Sequence, residues 1–305
     1  MITKTYYIES PARLSTKLEQ LIIEQNSGES EAIKTSRPLE DAGMLILDHS
    51  QILITTPLLQ NCLNRNVPII VCDSRHLPSG ILVPMAGHSL SGLRMRSQID
   101  SSKPLKKKLW QITICAKIRN QALVLKQLKL PYKILMEASQ KVRSGDSSNI
   151  EATAAAYYWS KLFGDKTGFR RDRFGESPNH ALNYTYSVIR AVVARSLIGS
   201  GLFPFMGIHH KNAYNSLCLA DDIMEPFRPY ADKLVRDLVS REIVPADECE
   251  LNKEIRALCL GILNRDVMLD GLKRPLQIAV NTVCSKLAQC FETGDSTLLV
   301  FPEYE

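Results

Sequence analysis

Three short stretches of this 305-residue sequence gather groups able to hold a divalent cation. The first, SNIEATAAAYYW at residues 148–159, sets Glu151 ahead of a small-residue run. Ser148 and Glu151 also match the S-x-x-E capping box, in which the carboxylate satisfies a backbone N–H at a helix start, so Glu151 has two open roles. Alanines at 152, 154, 155 and 156 let another helix approach closely, and a carboxylate buried there needs a cation partner. The second stretch is Gly207-Ile208-His209-His210, after an apolar run. Adjacent histidines on a helix point in different directions, so one ligand is expected from the pair. The third is LADDIMEPFRP at residues 219–229. On a continuous helix Asp222 or Asp221 would share a face with Glu225; alternatively, Asp222 caps a helix with Pro226 in its first turn. Carboxylates that close repel, and a cation would resolve the repulsion; a mixed nitrogen and carboxylate site accepts magnesium or manganese. The competing reading makes these acids surface partners of nearby Arg and Lys.

A second chemistry is suggested by residues 101–136, which carry nine basic side chains (Lys103, Lys106, Lys107, Lys108, Lys117, Arg119, Lys126, Lys129, Lys133) and no acidic one. That local excess is larger than the +6 of the whole chain (38 Lys plus Arg less 32 Asp plus Glu). Trp110, Ile114, Ile118, Leu125 and Leu128 form an apolar stripe in the same segment, which predicts a cationic ridge on the opposite helix face. A phosphate backbone suits such a ridge, with affinity that depends on salt and little on base sequence. The plainer alternative is a solvated helix face.

Strand-like runs dominate the first part of the chain, at residues 5–8, 18–23, 44–47, 52–55, 67–72 and 81–83. Turn chemistry at Asn26-Ser27-Gly28, Asp41-Ala42-Gly43 and Pro78-Ser79-Gly80 separates them, and one short helix is predicted from Pro57. After the Gly/Ser/Pro-containing stretch at 84–92 the apolar period changes from 2 to 3.6. The expected class is therefore α+β: a strand-rich domain over 1–92, then a larger all-α-helical domain over 93–305. Helical stripes at Leu182, Tyr186, Ile189, Val193 and Leu197, and at Phe227, Tyr230, Leu234 and Leu238, read as ordinary core.

With 45% hydrophobic and 23% charged residues the chain is globular rather than disordered, and its apolar runs fall far short of a membrane span. The start lacks the pattern of a signal peptide, so a soluble cytoplasmic protein is expected. Eight cysteines, none closer than six residues to the next, form no CxxC motif and suit reduced, buried thiols.

Taken together, the strand-rich part ending near VCDSRHLPSGILVPM, the Asn149–Glu151 Ala-rich segment, ESPNHALNYTYSVIRA and GIHHKNAYNSLCLADDIMEPFRP resemble the CRISPR-associated adaptation integrase family, in its type II form. The resemblance implies that Glu151, His210 and Glu225 ligate Mg2+ or Mn2+, the histidine being the one that ends G-x-x-H. Asp222 resembles an acidic position that shares or replaces Glu225 in catalysis. The implied reaction is metal-dependent: a 3′-hydroxyl of captured DNA attacks the CRISPR repeat by transesterification, without nucleotide energy, and no GxxxxGK[ST] loop is present. Lys103, Lys106, Lys107, Lys108, Lys117, Arg119 and Arg228 are the expected DNA-facing residues. The family works on double-stranded protospacer and repeat DNA as homodimers, mainly through the strand domain. Two of these flank a dimer of a small adaptation partner in a heterohexamer, and an RNA-guided interference nuclease is a further candidate partner. Two other readings compete: a non-catalytic DNA-binding scaffold of the same assembly, and a helical nucleotide phosphohydrolase. The second is disfavoured because the His-Asp dipeptide usual among such ligands is missing.

Overall fold

A computed structural model describes residues 4–25, 33–84, 88–164, 169–172, 175–245 and 251–305. The chain divides into two compact units, Met1–Ser89 and Leu90–Glu305.

The first unit holds β1 (Lys4–Ile8), β2 (Ala12–Lys17), β3 (Gln20–Gln25), β4 (Ile33–Pro38), β5 (Ala42–Leu47), β6 (Ile52–Ile54), α1 (Thr56–Asn64), β7 (Ile69–Cys72) and β8 (Pro78–Leu82). One four-stranded sheet runs β1-β5-β7-β8 and the other β4-β3-β2-β6. All six residues of β5 are buried, as a central strand paired in parallel on both sides requires. Leu14, Leu21, Leu45, Leu58 and Ile69 belong to the core of this unit.

Two strands escape the apolar pattern. β2 alternates Ala12 and Leu14 with Arg13, Ser15 and Lys17, and β4 is an edge strand with mostly exposed, polar side chains. Leu18 and Glu19, expected in a strand, instead make the β2–β3 turn with φ of 49° and 61°, left-handed values suited to a tight hairpin. Pro78-Ser79-Gly80 starts β8 rather than a turn. The reversal comes earlier, where the Asp73 carboxylate accepts from Arg75 N at 2.9 Å and Leu77 N at 3.0 Å. Ala42 and Gly43 open β5, leaving Asp41 in the preceding turn, and Asn26-Ser27-Gly28 lies outside the described residues.

The second unit is helical: α2 (Ser91–Asp100), α3 (Lys103–Gln127), α4 (Lys133–Lys141), α5 (Ile150–Leu162), α6 (Asn179–Gly199), α7 (Cys218–Met224), α8 (Arg228–Ser240), α9 (Lys253–Leu260) and α10 (Leu276–Thr293). It also carries a two-stranded hairpin, β9 (Asp266–Leu269) with β10 (Leu272–Pro275), which the helical periodicity does not announce. Cys62 in the first unit and Cys218, Cys259, Cys284 and Cys290 in the second are buried thiols. Among the described residues no helix is long and apolar enough to cross a membrane.

α3 is the axis of this unit. Ser102 caps it, its side chain accepting from Leu105 N at 3.3 Å, and Pro104 fits the first turn, where no N–H is needed. From Leu109 to Leu125 it is buried on more than one face, with Lys117, Asn120 and Gln121 inside as well as the expected apolar stripe. The one-sided amphipathic helix predicted from the sequence is thus corrected to a central helix, wrapped by α4, α5, α7 and α8. Buried Asn120 uses its polarity to clamp two distant segments: its Nδ2 donates to Pro226 O (2.8 Å) and Pro302 O (3.0 Å), and its Oδ1 accepts from Tyr304 N (3.0 Å).

Replacing Asn120 by Leu strands these three backbone groups in the interior. A loss of about 3 kcal/mol in urea-unfolding stability is expected.

Candidate active site

Glu151 lies in the first turn of α5, and a neighbour settles what its side chain does. The Asp146 carboxylate accepts from Ile150 N (2.9 Å) and Glu151 N (3.0 Å), while Asn149 turns the chain with φ of 51°. Asp146 therefore does the capping, and the Ser148–Glu151 box predicted from the sequence does not form. Glu151 is left to face α3.

There it meets Lys117, whose Nζ is 2.6 Å from Glu151 Oε1 and 2.6 Å from Glu225 Oε2. Glu225 sits in a single 3-10 turn, Glu225–Phe227, that joins α7 to α8. Its second oxygen, Oε1, is 3.0 Å from Arg228. Burial works to raise the Glu225 pKa, but the charges of Arg228 and Lys117 outweigh it and hold the carboxyl below its usual range. Burial likewise opposes a charged Lys117, and Glu225 and Glu151 more than restore it.

Lys117 is therefore corrected from DNA-facing residue to ion partner: it is buried at the centre of α3, between two carboxylates. Among the other predicted DNA-facing residues, Lys103, Lys107, Lys108 and Arg119 are exposed and Lys106 is half-buried. Arg119 is 2.8 Å from Glu303. Arg228 packs over the Tyr186 ring at 4.9 Å, and the Tyr186 hydroxyl donates to Asp232. Burial pushes Asp232 up to about 7.

Asp222 is wholly buried and its two oxygens are committed. They accept from Ile208 N (2.7 Å), His209 N (3.0 Å) and His210 N (3.2 Å), and His210 Nδ1 lies 2.5 Å away. Asp222 neither caps a helix nor lies open to a substrate; it folds the histidine loop and orients one ring. The glycine of G-x-x-H is needed for this approach, because a Cβ on Gly207 would lie 2.3 Å from His210 O and 2.8 Å from Asp222 Oδ2.

The two histidines separate in role. His209 stacks on Trp110 with centroids 4.1 Å apart, whereas His210 is half-exposed with Nδ1 held by Asp222, so that Nε2 is the nitrogen turned away from that partner. The hydrogen bond that His210 donates to the Asp222 carboxylate raises the His210 pKa, with Glu225 contributing charge across the site. Asp221 answers Arg190 (2.6 Å) and Asn215 (2.6 Å), as a simple ion-paired acid.

By spacing Trp110 belongs to the core stripe and by charge Lys117 to the ridge, and neither pattern points to Asp146. An S-x-x-E with an aspartate two residues upstream was the available signal for a different cap.

Two carboxylates and an imidazole steered by a buried carboxylate are a fitting donor set for Mg2+ or Mn2+. The geometric support is that Glu151 and Glu225 already converge on one cationic nitrogen. Among the described residues no three His, Cys, Asp or Glu groups converge closely enough to hold a metal ion, and the Lys117 ammonium stands between the two carboxylates.

Comparison with known proteins adds the context. Residues 6–269 match the family described as CRISPR associated protein Cas1. A CRISPR-associated endonuclease Cas1 from Neisseria meningitidis serogroup C (strain 8013) is 39% identical over 305 residues, 99% of this chain and 97% of the relative. Among solved structures, a casposase bound to integration product superposes with a TM-score of 0.82 at 20% identity, covering 99% of this chain and 95% of that one. A chain of a Cas6-RT-Cas1–Cas2 complex gives 0.74 at 18% identity, covering 100% of this chain and 36% of that one.

Because the folded pKa of His210 is raised above its ordinary 6.5, the protonated pair with Asp222 contributes stability in full below about pH 6.5. That contribution is lost as pH rises through the higher folded value. Asp222→Asn should move the His210 titration, followed by NMR, to lower pH and flatten this pH-dependent part. It should also cost about 2 kcal/mol through weakened hydrogen bonds to a charged acceptor.

Proposed function

This chain belongs to the CRISPR-associated protein Cas1 family, and from that premise we propose that it serves CRISPR spacer acquisition as a metal-dependent DNA integrase and endonuclease. The observation that carries the chemistry is the convergence of Glu151 and Glu225 on a single cation position, beside an imidazole held by Asp222. A Mg2+ or Mn2+ ion bound by Glu151, Glu225 and His210 would supply Lewis-acid polarisation of a phosphodiester and of the attacking 3′-hydroxyl. Asp222 keeps the His210 ring and its backbone in place, and Arg228 offsets the buried charge of Glu225. Attack by a 3′-hydroxyl joins captured DNA to the repeat by transesterification, and attack by water cuts it.

The exposed Lys103, Lys107 and Lys108 at the start of α3 suit contact with phosphates. The structural neighbours, one a casposase bound to integration product and one a chain of a Cas6-RT-Cas1–Cas2 complex, support double-stranded DNA and a small Cas2-type partner for this chain too. Homodimerisation through the strand-rich unit, over about residues 1–92, and a heterohexamer with that partner complete the reading.

One observation favours a second reading, a non-catalytic DNA-binding scaffold: in this structure the acids are answered by Lys117, Arg228 and Arg190. An integration assay on branched and linear DNA with magnesium, manganese or chelator decides between the two. Strand joining by Glu151→Ala, His210→Ala and Glu225→Ala is expected to fall by about 100-fold or more, with DNA binding intact. Joining that survives all three changes, or that ignores manganese and chelator, overturns the metal-dependent reading. Separately, replacing Lys103, Lys107 and Lys108 by Gln should weaken binding alike across DNA sequences and reduce the slope of log affinity against log salt by about 2–3. Anisotropy titrations at several salt concentrations measure both effects.

A further inference from the structure

We propose that Lys117 is a tethered counter-cation that holds the carboxylate pair together in the metal-free protein, and that a divalent ion reaches Glu151 and Glu225 by displacing its ammonium. The inference rests on the metal-dependent reading above.

Its basis is where Lys117 puts its charge. Nζ is 2.6 Å from one oxygen of each glutamate, although the lysine side chain is only 11% exposed. Two carboxylates brought to one point from α5 and from the turn after α7 would repel, and the ammonium answers both at once. The nitrogen therefore stands at the point that a metal shared by those same oxygens would contest.

The residue type suits release rather than permanent clamping. An ammonium is a compact point charge on a flexible four-carbon stem, without the planar fork that locks an arginine onto a carboxylate. The surroundings suit it too. Glu225 keeps Arg228 on its other oxygen at 3.0 Å, so removing Lys117 does not leave that carboxylate without a counter-charge. Glu151 is 26% exposed against 5% for Glu225, which opens the pair to solvent on the Glu151 side. An entering ion and a departing ammonium would use that side.

Lys117 is thus a positioning residue. It preorganises the two glutamates without touching the substrate, and it makes metal binding an exchange of one cation for another. The affinity for metal is set by the difference between two attractions.

The test uses the full chain and Mn2+ alone, with binding followed by calorimetry or by loss of the free Mn2+ paramagnetic resonance signal. Lys117→Met, which keeps an unbranched stem one atom shorter and removes the charge, should bind Mn2+ at least about tenfold more tightly than the parent. Lys117→Arg, which keeps the charge, should bind no more tightly. In the unsubstituted protein, acetylation of Lys117 by acetic anhydride, read by mass spectrometry, should be slow without metal and at least about fivefold faster with saturating Mn2+. Equal or weaker Mn2+ binding by a folded Lys117→Met protein overturns the displacement. Lys117 reactivity that ignores bound Mn2+ overturns it as well, and that readout decides alone should Lys117→Met not fold. If the unsubstituted protein binds no Mn2+, the metal-dependent reading fails first and the displacement falls with it.

Discussion

The helical unit is organised around one electrostatic problem: two glutamates from different parts of the chain are brought to a common point inside it. Burying one carboxylate is costly and burying two side by side is worse, so the surrounding structure supplies positive charge in proportion. Lys117 arrives from the middle of the longest helix and Arg228 from the first turn of α8. α3 runs through the interior, and its lysine meets the acids there. Its buried Asn120 and Gln121 show that this helix is more than apolar ballast.

Around that centre, polar groups fix the position of several segments. Asp222 gathers three successive backbone N–H groups and one imidazole, so a loop without regular structure is fixed by a single carboxylate. Gly207 provides the space for this, and Trp110 packs the ring of the neighbouring histidine. Arg228 leans on Tyr186, whose hydroxyl is in turn held by Asp232. The histidine and both glutamates thus have fixed partners before any ion or DNA arrives.

How much of this the sequence discloses depends on the kind of interaction. Long periodic stripes such as Leu182, Tyr186, Ile189, Val193 and Leu197 map onto α6, because burying one face of a helix leaves a repeating signature. Polar edge strands such as β4 leave none, since their order comes from pairing with β3. Glu151, His210, Asp222 and Glu225 were visible as residue types, and the family resemblance selected among them. Their division of labour was not, because it turns on which carboxylate meets which cation. Lys117 shows this best. In a run of nine basic residues Lys117 stands three residues after Ile114 and seven after Trp110, on the side of the apolar stripe, and the packing of α5 and α7 around α3 turns that spacing into burial. Asp146 displacing Glu151 from its capping role is the same lesson on a smaller scale.

The clamp at Asn120 ties together places far apart in the chain. One amide side chain holds Pro226, the residue after Glu225, and also Pro302 and Tyr304. In practical terms, residues around 302–304 are mechanically next to the site although they are about 80 positions from it in sequence. A substitution that displaces the backbone at residues 302–304 would disturb the same amide that fixes Pro226. A change made at residues 302–304 is therefore a change at the site itself.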